Sequence, residues 1–156
     1  MERIDIVYTK KEHLSSLYKH LSVQSLLDIK AVNGEVTESV LLNLLYSSVV
    51  SKTVLFSNKV AYSVFVMPTD IDECSVFLVS TTLGYSNSKS LDESFSDIIK
   101  DLPDANFYSI VYKGNHRYAK LLKDNGFRFI RNLIHGVEKR NFLLLGKMKD
   151  DTTSSY

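Results

Sequence analysis

Two residue periods alternate along the chain, and this alternation restricts the possible folds more than any other feature. Short apolar or alternating runs typical of strands are separated by segments with apolar residues at helical spacing. The order that results is β-α-α-β-β-β-α-β-α-β-β, and "NFYSIVY" (106–112) is apolar on both faces, as in a central strand. We therefore predict one α/β domain with a mixed, mostly antiparallel sheet and helices on both faces. The strand-like runs are "RIDIVY", "KTVLFS", "VAYSVFVM", "CSVFLVS", "NFYSIVY", "FRFIRNLI" and "RNFLLLGKM".

Capping signals predict where several of the helices begin. Thr9 with Glu12, and Ser90 with Glu93, have the spacing of a capping box, in which two side chains satisfy backbone amides reciprocally. A further helix is predicted over "TESVLLNLLYSSVV" (37–50), after a turn at Asn33 and Gly34. These positions place two helices between the first and second strands.

The stretch "GNHRYAKLLKDNGFRFI" (114–130) predicts a short amphipathic helix between two strands. Asn115 is suited to the N-cap, because its side-chain oxygen can accept a backbone N–H of the first turn. Tyr118, Ala119 and Leu122 lie on one apolar face. Gly126 is suited to a left-handed C-terminal cap.

Length and composition describe an ordinary domain without a metal or a disulfide. The chain has 156 residues, 44% of them hydrophobic and 24% charged, which suits one domain over residues 1–149 and a flexible tail over 150–156. Cys74 is the single cysteine, the four histidines are scattered, and no zinc-ligand spacing occurs. No apolar run is long enough to cross a bilayer, and "MERIDIVYTKK" does not read as a signal peptide.

The charge is distributed unevenly along the sequence. Residues 1–112 carry a net charge of −5 and residues 113–149 carry +8, although the whole chain carries only +1. A basic C-terminal third can face an anionic partner such as a nucleotide phosphate, a nucleic acid or an acidic protein. The alternative is a solvated face whose sign is incidental, and no nucleic-acid-binding signature accompanies the charge.

The element order and the helix at 115–125 together resemble the GNAT-type N-acetyltransferase superfamily. "NHRYAKLLKDNGF" is similar to that family's penultimate helix, with Asn115, Arg117 and the Gly126-Phe127 pair at matching positions. The resemblance implies a GNAT-like fold with a cleft where the sheet separates between "CSVFLVS" and "NFYSIVY". It also implies acetyl-coenzyme A as the cofactor beside Asn115, although this sequence departs from the family's motifs.

One departure concerns the loop that cradles the cofactor's pyrophosphate in the family. The corresponding stretch here is "TTLGYS", which places Thr81, Gly84 and Ser86 at the motif positions and keeps one glycine. Backbone amides of residues 83–87 would meet the pyrophosphate, with Lys89 or Arg117 near the phosphates. The alternative interpretation of this stretch is an ordinary polar loop between a strand and a helix.

The other departures concern acid–base catalysis. The family commonly uses a tyrosine of the penultimate helix as the acid, and Leu122 stands at that position. Tyr118, one turn earlier, is the candidate catalytic substitute, although a tyrosine in the core or cleft wall is the simpler interpretation. Neither strand beside the expected cleft contains a carboxylate that could act as a base, and Asp72 and Glu73 suit a turn.

The C-terminal half, from "NFYSIVY" onwards, also resembles GNAT-like proteins of tailed bacteriophages, including the internal virion protein family of short-tailed phages. Two hypotheses follow, and whether the protein is an enzyme stays open. The first is a GNAT-fold phage protein with degenerate catalytic motifs, acting in virion assembly or in contact with host proteins. The second is an active N-acetyltransferase that moves acetyl from acetyl-coenzyme A to an amine of a small molecule or protein. The expected location is the host cytoplasm or the virion interior.

Overall fold

The computed structural model describes residues 3–86 and 89–149, with the side chain of Ser86 excepted. The predicted tail at 150–156 lies outside the described residues. Seven strands are formed, β1 (Ile4–Tyr8), β2 (Val50–Phe56), β3 (Lys59–Asp70), β4 (Glu73–Ser80), β5 (Asn106–Tyr112), β6 (Arg128–His135) and β7 (Arg140–Lys147). The helices are α1 (Lys11–Lys19), α2 (Val23–Asn33), α3 (Glu38–Ser47), α4 (Thr82–Ser86), α5 (Lys89–Lys100) and α6 (His116–Asp124).

All seven strands belong to one mixed sheet, which confirms the predicted fold class. Their order is β1-β2-β3-β4-β5-β7-β6, and only the central pair, β4 and β5, runs parallel. A parallel pair needs a long crossover connection, and α4 and α5 supply it between β4 and β5. The sheet is therefore two antiparallel units joined by one parallel seam.

That seam is short, and the two strands separate beyond it. Only Glu73 to Ser75 of β4 pair with Asn106 to Tyr108 of β5, although both strands continue for several residues. We call the open region beyond Ser75 and Tyr108 the fork. It lies where the sequence predicted a separation of the sheet.

Helices cover both faces of the sheet, and each face has its own apolar core. On one face, α5 and α6 contribute Leu91, Phe95, Tyr118 and Leu122 to the larger core. On the other face, side chains of α1, α2 and α3 pack against Phe65 and Val79, and they include Leu14, Leu17, Ile29 and Leu41. Within the described part of the chain, no helix is long and apolar enough to span a membrane.

The ends of α6 confirm the sequence prediction. Asn115 is the N-cap, and its side-chain oxygen accepts the N–H of Tyr118 at 3.2 Å. Gly126 follows the helix with φ at +92°, a left-handed conformation that glycine adopts without steric cost. These local signals were sufficient because both depend only on residues close in sequence.

Three predictions about the helices were wrong or incomplete. Thr9 does not cap α1, because its hydroxyl lies 2.9 Å from the hydroxyl of Thr53 on β2. The helix α5 begins at Lys89, so that Ser90 lies inside its first turn. The sequence prediction missed α2 altogether, because its apolar residues surround the helix and leave no amphipathic pattern to detect.

Candidate active site

The hydroxyl of Tyr118 lies at the vertex of the fork, where β4 and β5 begin to separate. Ser109 of β5 donates a hydrogen bond to the carbonyl oxygen of Val76 on β4 at 2.8 Å. The Tyr118 hydroxyl lies 3.1 Å from Ser109 Oγ, a hydrogen bond in which either oxygen can donate, and 3.4 Å from the Val76 carbonyl oxygen. A buried hydroxyl network thus replaces the sheet pairing at the point where the pairing stops.

Three influences set the pKa of the Tyr118 hydroxyl. Burial raises the pKa of its hydroxyl, the hydrogen bond to Ser109 opposes the rise, and the negative charge of Asp28 adds to it. The hydroxyl therefore keeps its proton at neutral pH. The ring is held edge-on against Phe95, with ring centroids 6.4 Å apart.

A buried carboxylate on α2 adjoins the same region. Asp28 is 6% exposed, and its two oxygens accept hydrogen bonds from Asn115 Nδ2 at 2.8 Å and Gln24 Nε2 at 3.1 Å. Burial raises the pKa of Asp28 to about 6, while the two amide donors oppose that rise. Asp28 is thus ionised at neutral pH but takes up a proton more readily than an exposed carboxylate.

Asn115 connects this carboxylate to Tyr118. Its Nδ2 donates to Asp28, while its Oδ1 accepts the Tyr118 N–H as the cap of α6. Both functional ends of the Asn115 amide are therefore used. The orientation of α6, and with it the position of the Tyr118 ring, depends on a contact with α2.

A second polar cluster fastens the start of α2 to the end of β4. Ser22 caps α2, and its backbone N–H donates to the carbonyl of Ser80 at 2.9 Å. Ser25 Oγ accepts the N–H of Ser80 at 2.9 Å, and the buried Ser80 hydroxyl lies 2.9 Å from Ser22 Oγ and 3.2 Å from Ser25 Oγ. These bonds use the backbone groups of Ser80 that a neighbouring strand would otherwise pair with.

The fork encloses a small cavity bordered by helices on either side. The cavity has a volume of about 30 Å³, and its lining includes Gln24, Leu78, Tyr85, Arg117 and Tyr118. That is room for about one water molecule. A bound arm of coenzyme A would therefore have to separate the helices that line the fork.

In the predicted phosphate cradle, the backbone N–H groups of Gly84 and Tyr85 already donate hydrogen bonds to Thr81. Thr81 Oγ1 accepts the Gly84 N–H at 3.2 Å, and the Thr81 carbonyl accepts the Tyr85 N–H at 3.0 Å. A Cβ atom on Gly84 would lie 2.0 Å from the carbonyl oxygen of Ala61, so glycine is required here for close packing of α4 on β3. Ser86 and Asn87 complete the predicted cradle. The side chain of Ser86 and the whole of Asn87 lie outside the part of the chain that the structure describes.

Of the two predicted phosphate-contacting cations, Arg117 lines the fork cavity and Lys89 lies in a separate groove. Arg117 Nη2 is 3.4 Å from Asp92 Oδ1, and the guanidinium lies 5.7 Å from the centroid of the Tyr85 ring. Lys89 is exposed and borders a surface groove of about 410 Å³ between α5 and α6, which also carries Asp92, Glu93 and Asp124. Three acids make that groove a poor environment for a phosphate group.

Acetyl-coenzyme A therefore fits one end of the site better than the other. At the fork, strand alternation turns the N–H and C=O of Leu78 toward the gap, where the amides of an extended arm can pair with them. The phosphate end would depend on Arg117 and Lys89, since the amides of Gly84 and Tyr85 are used within α4. Among the described residues, no cluster of three or more metal-ligating side chains occurs.

Of the predicted site residues, Asn115, Arg117 and Tyr118 lie at the fork. Their partners Asp28 and Ser109 were not predicted. Asp28 is the single acid within an apolar stretch, "SLLDIKAV", and Ser109 interrupts the apolar strand β5, so each left a detectable signal. Neither strand run of the cleft contains an acid, whereas the buried carboxylate of Asp28 comes from α2. Leu122, at the family's acid position, is fully buried in the core.

Comparison with solved structures identifies the fold. No family model matches the chain, and no curated protein matches it by sequence. An acetyltransferase of the GNAT family from Bacillus anthracis superposes with a TM-score of 0.71 at 11% identity, covering 96% of each chain.

Two further structures agree with this result. Ard1 from Thermoplasma volcanium has a TM-score of 0.70 at 13% identity, covering 92% of this chain and 96% of its own. The ribosomal-protein-S18-alanine N-acetyltransferase from Escherichia coli has a TM-score of 0.67 at 13% identity, covering 93% of each chain. Identities this low establish architecture alone, and by that architecture the chain has the GNAT N-acetyltransferase fold.

Proposed function

We propose that the protein is an acetyltransferase whose reaction centre is the vertex of the fork. The observation that carries this proposal is the Tyr118 hydroxyl, which lies 3.4 Å from the carbonyl oxygen of Val76, at the first residue of β4 beyond the paired seam. A protonated, buried hydroxyl at this point supports the role of a general acid. Tyr118 thereby takes the part that Leu122 cannot perform.

In this reaction acetyl-coenzyme A supplies an activated acetyl group as a thioester. The acceptor is an amine of a small molecule or of a protein. Tyr118 is placed to give its proton to the departing thiolate, because its hydroxyl holds that proton at neutral pH. General acid help of this kind is typically worth about 10²–10⁴-fold in rate.

Asp28 is the candidate for the base that receives the proton of the attacking ammonium. Its pKa of about 6 leaves it ionised, and therefore able to accept a proton, at neutral pH. Gln24 and Asn115 lie between Asp28 and the cavity, so we expect the proton to travel through a water molecule. An acidic group beside the fork also favours a cationic acceptor over a neutral one.

The test is a thermal shift titration with acetyl-coenzyme A, followed by a thiol-release assay with polyamines, lysine peptides and aminoglycosides. A ligand that binds the folded state must raise its melting temperature. We expect a saturable shift and turnover with one acceptor class, and both should depend on an intact fork. A saturable shift without turnover by any acceptor would remove the catalytic part of the proposal and leave cofactor binding.

A second function is favoured by the closed state of the fork. The cavity of about 30 Å³ and the occupied amides of Gly84 and Tyr85 suit a GNAT-fold protein that has lost catalysis. Such a protein would act in virion assembly or in contact with host proteins, as the resemblance of the C-terminal half to phage proteins implies. The absence of both a thermal shift and turnover would favour this function over the first.

The basic C-terminal third is the proposed contact surface for that second function. Residues 113–149 carry a net charge of +8, and Arg128 and Arg131 are exposed on β6 at the edge of the sheet. An acidic protein surface or another anionic partner would complement this charge. Charge reversal at Arg128 and Arg131 should weaken such an interaction while leaving acetyl transfer unchanged.

A further inference from the structure

A large groove lies outside the fork, on the other side of α4. It is bounded by α1, by the tight turn between β2 and β3, and by the start of α4, and its volume is about 750 Å³. We call it the α1 groove. Pockets that bind small molecules usually have volumes of about 300–1,000 Å³, so the α1 groove has the size of a ligand site whereas the fork cavity does not.

The floor of the α1 groove is apolar. Leu21 follows α1, Leu55 and Val60 come from the two strands of the hairpin, and Leu83 comes from α4. Each of the four is only half-buried. A ligand with an apolar or aromatic body would cover this surface and gain free energy from its removal from water.

The charged side chains of the groove rim are two lysines and one acid. Lys19 and Lys59 approach it from α1 and from the start of β3, with His13 and His20 beside them and Glu12 as the single acid of the lining. Two of the four histidines of the chain are therefore in this lining. The two lysines of the rim stand out because residues 1–112 as a whole carry a net charge of −5.

The two lysines of the rim are not committed to other charges. Within residues 3–86 and 89–149, neither Lys19 nor Lys59 forms an ion pair. Their ammonium groups can therefore pair with an anion without first breaking an internal contact. A flexible lysine is a common ligand for phosphate and carboxylate groups.

A hydrogen bond fixes the tautomer of one histidine of the rim. The backbone N–H of Lys10 donates to His13 Nδ1 at 2.9 Å. A neutral imidazole that accepts at Nδ1 carries its proton on Nε2, and burial lowers the pKa of His13 so that the neutral form prevails at pH 7. His13 thus remains a hydrogen-bond donor without carrying a charge.

We propose that the α1 groove binds a small organic anion, in which a phosphate or carboxylate head is attached to an apolar body. The head pairs with Lys19 and Lys59, and the body lies on Leu21, Leu55, Val60 and Leu83. The site is separate from the fork, although α4 borders both, with Leu83 on the groove side and Gly84 and Tyr85 on the fork side. Its existence does not depend on acetyl transfer.

The test is a fluorescence titration of the full chain with 8-anilinonaphthalene-1-sulfonate, an aromatic anion that becomes fluorescent in apolar surroundings. We expect saturable binding at one site per chain. The double variant Lys19→Glu/Lys59→Glu should weaken binding by about tenfold or more, because two attractive charges become repulsive. The matched control is Lys113→Glu, an exposed lysine outside the groove, which should change the dissociation constant less than about twofold.

Competition identifies the head group and tests the requirement for an anion. Phenyl phosphate and benzoate are the two charged competitors, and phenol is their neutral counterpart. Displacement of the probe by either anion, but not by phenol at equal concentration, supports the proposal and distinguishes a phosphate from a carboxylate ligand. Displacement by phenol as strong as that by the anions would overturn it.

Two other outcomes would also overturn the proposal. One is the absence of saturable binding to the folded wild-type chain. The other is equal binding by the wild type, the double variant and the control, which would place the probe on another apolar surface. The neutral variant Lys19→Gln/Lys59→Gln, checked by circular dichroism and thermal melting, replaces the charge reversal if that variant does not fold.

Discussion

Asp28 and Asn115 are 87 residues apart in the sequence, and a hydrogen bond of 2.8 Å joins Asp28 Oδ2 to Asn115 Nδ2. This bond links α2, on one side of the fork, to the first turn of α6, which carries Tyr118. Because Asn115 also caps α6, a change at Asp28 reaches Tyr118 through a single side chain.

Replacement of Tyr118 by Phe should abolish most acetyl transfer while leaving the fold in place. We expect a fall in kcat of about 10²–10⁴-fold, the usual value of a general acid. The lost hydroxyl should reduce the free energy of unfolding by only about 1 kcal/mol. Thiol release and urea denaturation measure the two quantities.

The control for Tyr118→Phe is Tyr108→Phe. The Tyr108 hydroxyl also has a hydrogen-bond partner, Glu73 at 3.3 Å, but Tyr108 lies in the paired seam rather than in the open fork. Its replacement should leave kcat unchanged. Equal activity of both variants and the wild type would rule out Tyr118 as the acid.

Asp28 should give the stability of the protein a characteristic pH dependence. Its pKa is raised from 3.8 to about 6 in the folded state, so between about pH 4 and pH 6 the folded chain holds a proton that the unfolded chain has lost. The contribution of this group to the free energy of unfolding therefore falls as the pH rises through that interval, by about 3 kcal/mol in total.

The substitution Asp28→Asn removes the titrating carboxyl group and with it this pH-dependent contribution to stability. The free energy of unfolding of the variant minus that of the wild type should be greater at pH 8 than at pH 4. The expected increase in this difference is about 1–3 kcal/mol. Urea denaturation of both proteins at the two pH values isolates the effect, since other carboxylates are common to both. Parallel stability profiles would show that Asp28 is not the group that titrates.

Gly84→Ala should destabilise the fold strongly. The new Cβ would lie 2.0 Å from the carbonyl oxygen of Ala61, and backbone atoms would have to move. We expect a loss of about 1–3 kcal/mol or more in the free energy of unfolding. Thermal and urea denaturation report this loss without any ligand.

Gly114→Ala is the matched control for Gly84→Ala. A Cβ atom on Gly114 would meet only the Tyr112 ring, at 3.9 Å, which is an ordinary contact. Its effect should be within about 0.5 kcal/mol of neutral. Equal stability of the two variants would show that the close approach of α4 to β3 is not required.

Ser25→Ala should loosen α2 from the end of β4. The substitution leaves the buried N–H of Ser80 without its acceptor, which costs about 1–3 kcal/mol. Amide hydrogen exchange should become faster in α2 than in α5. Ser96→Ala in α5 is the control, because Ser96 Oγ only donates to the Asp92 carbonyl and its removal leaves no buried N–H unpaired.

Much of the fold could be predicted from residues near one another in sequence. The alternating periods located all seven strands, and the caps of α6 were readable in Asn115 and Gly126. The same approach failed for α2, where apolar residues on all sides hide the helical period. Thr9 gave a valid capping signal, but the hydroxyl of Thr53 competed successfully for its side chain.

The sequence by itself determined the order of the seven strands and of α1, α3, α5 and α6, because period and capping depend on neighbours within one or two turns. It also supplied Asn115, Arg117 and Tyr118 as candidate site residues. Only the tertiary structure decided that Asp28, Ser109 and Tyr118 meet at one fork, and that Gly84 packs on Ala61. The physical reason is that burial and hydrogen-bond partners set the pKa and the role of a polar side chain, and the fold brings those partners from distant parts of the chain.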